Sequence, residues 1–356
     1  MRALVVTSVH RSDDPRIRER TVRSLATAFR VRYATRAPAP AIGGDHEWAQ
    51  LGGGRLRRDW SAFLRMMDGD VAVVSLHDPE LIPAALLARL LRRVPVVVDV
   101  HEDVPAQMLH KDWVARPLRR PLAWVSRVLL RLAERFCVVS LAEEGYRHLF
   151  RREHPVFPNY PAAGSLPPLA EDAGYVIYAG DVTEDRGALD MVEAVGAMSR
   201  PRPLRLVGRC RADLAQRLQR RAGELGVALE VRGPLPHRAA MEQAAGASAG
   251  LSLLRPLPNY LNSLPTKVVE YLEMGLAVVA ADLPGTREAV AGLAGVALVP
   301  PGDPGMAAAA LDRVVGDGAA RRAAAAQAPA LRERLVWPEE AVVALYRAAA
   351  APRADR

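Results

Sequence analysis

Short β-branched runs alternate with helical stretches along this chain, and they do so in two successive sets. "RALVVTS", "RVRYAT", "DVAVVSLH", "VPVVVDVH" and "RFCVVS" come first. "YVIYAG", "PLRLVG", "VALEVRG", "AGLSLL", "LAVVAAD" and "GVALVP" follow after residue 170. Each run is apolar enough to be covered on both faces, as in a parallel sheet flanked by crossover helices. The pattern predicts an α/β protein of two doubly wound, Rossmann-like sheets. At 356 residues the chain also exceeds what a single core usually supports.

The proline-rich stretch "HPVFPNYPAAGSLPPLAEDAG", residues 154–174, has no sustained period and separates the two sets. The expected organisation is an N-terminal domain at 1–160 and a linker at 161–172, inside a hinge near 158–172. A C-terminal domain at 173–335 follows, then a helix at 336–356 that packs back toward the N-terminal domain. In open sheets of this kind ligands bind beyond the carboxyl ends of the strands, and with two domains the natural place is the cleft between them.

Composition excludes several classes. The 48 basic and 40 acidic residues leave a charge of +8, which permits phosphate-bearing partners without demanding them. Aromatic residues make up only 5% and do not interleave with the basic ones, so nucleic acid is not an expected partner. No apolar run approaches the roughly 18 residues of a membrane span. The opening "MRALVVTSVH" reads as a first strand, not as a signal peptide. Cys137 and Cys210 sit in apolar, strand-like surroundings, which argues against disulfides or a cysteine-held metal and fits a reducing cytoplasm. The first βα loop lacks G-x-G-x-x-G, and no G-x-x-x-x-G-K-[ST], G-x-S-x-G or H-E-x-x-H occurs. "DGD" at 68–70 precedes its strand and so lies at the wrong edge of the sheet for a metal site.

The stretch "NSLPTKVVEYLEMGLAVVAAD", residues 262–282, carries the most chemistry. Pro265 opens a helix and Gly275 follows its end. Backbone amides from about Leu264 to Lys267 lack intrahelical partners, which makes the helix mouth an anion site. Lys267 is a cation at an already positive helix end, which is unfavourable unless something negative sits before it. Glu270, one turn on, is placed to accept from a ribose diol; the competing reading is a solvated i,i+3 pair. In "YVIYAGDVTEDRGALDMVEAV", Gly180 permits close backbone approach and Arg186 stands at the mouth of the next helix. Gly208, which closes "PLRLVG", is a further candidate binding residue.

In the N-terminal half, "VPVVVDVHEDVPAQ" delivers His101 and Glu102 just after a buried strand. A histidine there can bond a sugar hydroxyl or titrate near neutral pH; the alternative is a loop-stabilising role. In "SVHRSDDPRIRER", Asp14 reads as the cap and Pro15 as the first residue of a helix, leaving His10 and Asp13 to meet a ligand. His77 and Asp78 end "VAVVSLHD", with structural and ligand roles both open.

At these residues the sequence resembles a retaining glycosyltransferase of the GT-B fold, similar to glycosyltransferase family 4. The resemblance runs through "HRSDDPRIRE", "VVVDVHE", "YAGDVTEDRG" and "VRGPLPHRAAMEQAAGASAGLSLL", and is most specific in "LPTKVVEYLEMGLAVVAAD". It implies that His101 contacts the donor sugar, that Arg186 and Lys267 hold the diphosphate, and that Glu270 takes the ribose. Two positions depart from the pattern. Asn262 stands where many members carry a glutamate near the transferred sugar, and Asp181 where many have an arginine. A subgroup is implied that grips the sugar through the loop Asn262, Ser263, Leu264, Pro265 and Thr266, with one phosphate-binding arginine.

The expected function is metal-independent, retaining transfer of a hexose-type sugar from a nucleoside-diphosphate sugar to an acceptor hydroxyl, with no further cofactor. The other readings are a catalytically silent nucleotide-sugar-binding partner and a GT-B-fold nucleotide-sugar epimerase. The N-terminal domain would take the acceptor, a small molecule, saccharide or lipid-linked compound, with His10, Asp13, His77 and Glu102 as candidates. In residues 116–136, Leu118, Leu122, Val125, Leu129, Leu132 and Phe136 share one face and several arginines another, with Trp113 and Trp124 nearby. Such a helix either covers the sheet or lies on an anionic membrane, so the expected location is cytoplasmic with peripheral contact left open. The oligomeric state is not legible.

Overall fold

The computed structural model describes residues 1–37, 46–110, 114–316 and 318–351. Its contacts divide the chain into two compact units, Met1–Asn159 with Trp337–Arg356, and Tyr160–Val336.

The first unit runs β1 (Arg2–Val6), a wide π-helical turn (Pro15–Val22) continuing into α1 (Arg23–Ala26), β2 (Arg30–Thr35), β3 (His46–Gln50), α2 (Arg55–Met66) and β4 (Val71–Leu76). It continues with α3 (Ile82–Arg92), β5 (Val96–Val100), α4 (Val104–His110), α5 (Arg116–Phe136) and β6 (Val138–Leu141). The six strands are parallel in the order β3-β2-β1-β4-β5-β6. From β1 the chain winds one way to β3, then returns to β4 and winds the other way. Right-handed crossovers therefore place α1 on one face of the sheet and α2, α3 and α5 on the other. The core agrees, because Phe63 of α2, Ala85 of α3 and Leu130 of α5 join one cluster with Val74 and Val98. Sequence reading had no strand at β3. "HEWAQ" is mostly polar and exposed, as an edge strand with one neighbour can be.

The second unit runs β7 (Val176–Ala179), α6 (Ala188–Gly196), β8 (Leu204–Val207), α7 (Ala212–Glu224), β9 (Leu229–Arg232), α8 (His237–Ala245) and β10 (Ala249–Ser252). After these come α9 (Pro258–Leu261), α10 (Thr266–Met274), β11 (Val278–Ala281), α11 (Pro284–Ala289), β12 (Val296–Val299), α12 (Pro304–Gly316) and α13 (Ala319–Arg334). The order β12-β11-β10-β7-β8-β9 is the same doubly wound arrangement. Residues 161–172, read from sequence as a linker, group with this unit, and Leu166 and Leu169 pack on its core.

The last helix, α14 (Glu339–Ala350), belongs to the first unit. Two polar contacts seat this segment. Tyr346 Oη lies 2.6 Å from Ser75 Oγ at the end of β4, and Trp337 Nε1 donates to Ser24 Oγ at 2.9 Å.

The long helix α5 turns a different side to the core than its apolar stripe suggests. Leu130 and Ala133 are buried, whereas Leu118, Leu122, Val125, Leu132 and Phe136 of the stripe stand exposed. Trp124 is exposed as well, and Trp113 lies outside the described residues.

Candidate active site

In the second unit β7 and β10 are neighbours whose chains leave in opposite directions, which opens a crevice at their carboxyl ends. The residues after these strands meet there. Gly180 follows β7 and Gly208 follows β8, and their backbones touch: a Cβ on Gly208 would lie 1.9 Å from the Gly180 carbonyl oxygen. Only glycine permits this approach. The loop before α10 is pinned in the same way, since a Cβ on Gly285 would meet the Ser263 carbonyl oxygen at 2.8 Å and the Asn262 carbonyl carbon at 2.7 Å.

Lys267 reaches back from the first turn of α10 across this crevice. Its Nζ lies 5.3 Å from the centre of the Tyr178 ring, and its Cε approaches Gly180 so closely that a Cβ there would be 3.0 Å away. Arg186 comes in from the mouth of α6 and faces the Tyr178 and Tyr260 hydroxyls. Burial, and then the Arg186 charge, push the Lys267 ammonium down to about 8. Among the described residues neither cation makes an ion pair. Glu270 and Asp181 act on Lys267 from beyond ion-pair distance and do not offset burial and the Arg186 charge, so two neighbouring cations in a partly desolvated crevice form a site suited to an anion.

The helix mouth supplies fewer amides than its sequence position suggests. Pro265 has no N–H, and the Thr266 amide donates to the Leu264 carbonyl at 2.8 Å. The Val268 amide turns to the Pro265 carbonyl at 2.8 Å. The Leu264 and Lys267 amides are left without a protein partner among the described residues, so a tight turn consumes part of the expected cradle. Glu270 is buried on α10, and its Oε1 lies 2.8 Å from His237 Nε2 at the start of α8. Asp181, the departure after Gly180, forms a two-pronged pair with Arg209, both contacts at 3.1 Å, on the solvent side of the same loops.

In the first unit the equivalent crevice lies beyond β1 and β4, and His10, His77 and Asp78 emerge there beside His101 from the end of β5. His10 Nε2 is 3.0 Å from His101 Nε2 and 3.3 Å from Asp78 Oδ1, and its Nδ1 is 3.5 Å from Asp14 Oδ2. Burial opposes the charge on His10, but Asp14 and then Asp78 overcome it and raise the imidazole to about 9. His101 moves the other way, lowered first by burial and then by the His10 charge. His10 is therefore the cation of the pair, and its Nε2–H donates to neutral His101. His101 in turn places its Nδ1–H toward the Asp99 carbonyl, 3.1 Å away.

Asp99 is buried and held by Arg16 through two bonds of 2.7 Å and by Ser140 Oγ at 3.0 Å. The Arg16 guanidinium outweighs the burial penalty and keeps this carboxyl well below its ordinary range. Arg16 also donates to the Phe157 carbonyl at 3.0 Å and to Asn159 Oδ1 at 2.7 Å. Asp14 caps the turn that carries Arg16, accepting from the Arg16 and Ile17 amides at 2.9 and 3.1 Å.

Three sequence candidates are already engaged by protein partners. His77 is buried, its Nε2 3.0 Å from Ser75 Oγ and its Nδ1 3.4 Å from Asp99 Oδ2, so it serves the interior and does not open outward. Asp78 is buried and binds the strand-end loop, accepting from Thr7 Oγ1 at 2.8 Å and from the Ser8 amide at 2.5 Å. Asp13 is exposed and locked to Arg11 at 2.7 and 2.6 Å. Glu102 stays half-buried beside His101.

His77, Asp99 and His101 offer ligand atoms within 4.8 Å of one another. The donor set suits a cation poorly, because both Asp99 oxygens already serve Arg16 and protonated His10 stands alongside.

Sequence reasoning missed Tyr178, Tyr260, His237 and Arg16. His237 left one usable signal, a histidine at a helix start directly after a strand and its loop. The two tyrosines left none, because only folding sets them against the arginine.

Two family models match the chain, a glycosyl transferase 4-like domain over residues 1–159 and "Glycosyl transferases group 1" over residues 173–317. With the paired doubly wound sheets these define a glycosyltransferase of the GT-B fold. The chain belongs to the family 4, group 1 glycosyltransferases. Solved structures share the fold at low identity. Sucrose-phosphate synthase from Thermosynechococcus elongatus superposes with a TM-score of 0.76 at 17% identity, covering 98% of each chain. Anabaena HepE, in complex with UDP-glucose, gives 0.74 at 15% identity, again over 98% of each chain. WaaG, a glycosyltransferase involved in lipopolysaccharide biosynthesis, gives 0.69 at 14%, covering 96% of this chain and 98% of that one. No curated protein matches the chain.

Proposed function

We propose that the protein is a retaining, metal-independent transferase that moves a sugar from a nucleoside-diphosphate sugar to an acceptor hydroxyl. The observation that carries this reading is the Lys267 and Arg186 pair, two neighbouring cations that make no ion pair among the described residues, at the carboxyl end of the second sheet. A diphosphate satisfies both, and the Leu264 and Lys267 amides add donors. Glu270, steadied by His237, is suited to a ribose diol. The UDP-glucose bound to HepE supports the same ligand class.

Charge grows on the departing diphosphate as the bond between the sugar's anomeric carbon and the phosphate oxygen breaks. Lys267 and Arg186 would stabilise that charge in a partly desolvated crevice, the service a divalent cation gives elsewhere. The acceptor oxygen forms the new bond on the same face, and its proton passes to the leaving phosphate oxygen, so the anomeric configuration is retained. His101 would hold a hydroxyl of the transferred sugar, with His10 fixing its tautomer. Acceptor contacts fall to the first unit.

The test is thermal stabilisation by UDP-, GDP- and dTDP-sugars with and without EDTA, because a ligand of the folded state alone raises Tm. Stabilisation by one donor, unchanged by EDTA and abolished by Lys267→Ala, is the expected result. The product anomer, read from its NMR coupling constant, checks retention. Release of nucleoside diphosphate only when acceptor is present separates transfer from epimerisation.

A further inference from the structure

α2, α3 and α5 form one continuous layer, α2 packing on α3 and α3 on α5. Their inner sides belong to the core, but their outer sides are not the polar surface expected of sheet-covering helices. Of the eighteen large apolar side chains that stand exposed among the described residues, twelve belong to these three helices. The described residues of the second unit expose two, Leu235 and Met306. On α2 they fall at Leu56, Trp60 and Leu64, a four-residue spacing that puts them in one row, 84%, 61% and 49% exposed. From Arg116 to Val128 no residue of α5 is buried.

The same helices carry twelve arginines against two carboxylates, Asp59 and Glu134. Their net charge of +10 exceeds the +8 of the entire chain, so the remainder is slightly acidic and the basic excess of this protein resides in one layer.

We propose that this layer is a docking face for an anionic lipid surface. Exposed leucine and tryptophan side chains enter the boundary between headgroups and acyl chains, while arginines beside them meet lipid phosphates. The combination discriminates among partners. A second copy of the chain would bring +10 against +10. Nucleic acid would use the arginines but has no need of rows of exposed leucine. A lipid surface takes both. Sequence alone pointed only to residues 116–136; the fold sets α2 and α3 beside them. The inference does not depend on the transferase reading, and its test uses no activity.

Full-length protein is sedimented with phosphatidylcholine vesicles and with vesicles that also contain phosphatidylglycerol. Binding to the mixed vesicles only, weakening as salt rises, is expected. The variant Leu56→Glu/Trp60→Glu/Leu118→Glu and, separately, Arg57→Gln/Arg120→Gln/Arg127→Gln should each weaken it by at least about tenfold. Because all these side chains are solvent-facing, Tm should stay unchanged, which distinguishes lost docking from lost folding. Failure of the wild type to bind the mixed vesicles, or binding that neither variant reduces, would overturn the proposal. So would a light-scattering mass showing a dimer that the leucine and tryptophan changes dissociate, or displacement from vesicles by duplex DNA with the apolar variant unaffected.

Discussion

His237 Nε2 and Glu270 Oε1 lie 2.8 Å apart, joining the start of α8 to the first half of α10 across the mouth of the second sheet. The contact helps to fix a buried carboxylate. If Glu270 accepts from a ribose diol, Glu270→Ala should weaken nucleotide binding by about tenfold or more, the worth of a hydrogen bond to a charged group. His237→Ala should lose a smaller factor, through a loosened Glu270. Titration calorimetry with the stabilising nucleotide measures both, and equal affinity in wild type and Glu270→Ala would remove the ribose from this position.

Lys267 should make donor affinity depend on pH. An ordinary lysine stays charged to about pH 10.4, whereas burial and Arg186 bring this one down to about 8. The diphosphate requires the ammonium. Its Kd should therefore be level below pH 8 and rise by up to about tenfold per pH unit above it, until the pKa of the bound complex is reached. Lys267→Arg should flatten the curve, and Lys267→Ala should abolish binding. A level wild-type curve from about pH 6 to about pH 10 would place the anion elsewhere.

The imidazole pair of the first unit invites a kinetic separation. His101→Ala should slow kcat by about a hundredfold while leaving donor Kd within a factor of about two. His10→Gln removes the cation that helps depress His101. The His101 pKa should then rise toward its ordinary value, and the acid limb of the pH–rate profile should move to higher pH. An unmoved limb in His10→Gln would show that His10 does not tune its neighbour.

Arg16 and Asp99 form a buried pair whose halves cannot be removed singly without cost. Arg16→Ala should destabilise the first unit by about 3–5 kcal/mol, because Asp99 would stay buried without the guanidinium that neutralises it. Arg16→Met with Asp99→Leu should recover much of this, as measured by urea unfolding. The folded-state pKa of Asp99 is depressed, so its contribution is present above the unfolded value of about 3.9 and is lost as pH falls toward the folded one. The acid stability of the first unit should therefore fall more steeply in the wild type than in the double variant.

Much of the framework was legible in the chain because strands buried on both faces must be apolar along their whole length. Runs such as "VPVVVDV" and "LAVVAAD" have few other uses in a soluble domain. Pro265 and Gly275 bracketed α10 for local reasons of backbone geometry, and Asp14 announced its cap likewise. β3 escaped notice because an edge strand with one hydrogen-bonded neighbour can remain polar. The Thr266 amide was misjudged because whether a helix's first amides are free depends on how the preceding loop folds back.

The sequence by itself settled the alternation of elements, the two doubly wound sheets and the positions of Arg186, Lys267 and Glu270 at strand ends and helix starts. Periodicity and punctuation are local properties, and they survive in a linear reading. Only the tertiary structure decided which groups face one another: Tyr178 beneath Lys267, His237 on Glu270, His10 against His101, His77 turned inward, and three arginine-rich helices laid side by side. Those pairings join residues tens of positions apart, and their electrostatics depend on burial and separation, which exist only once the chain has closed on itself.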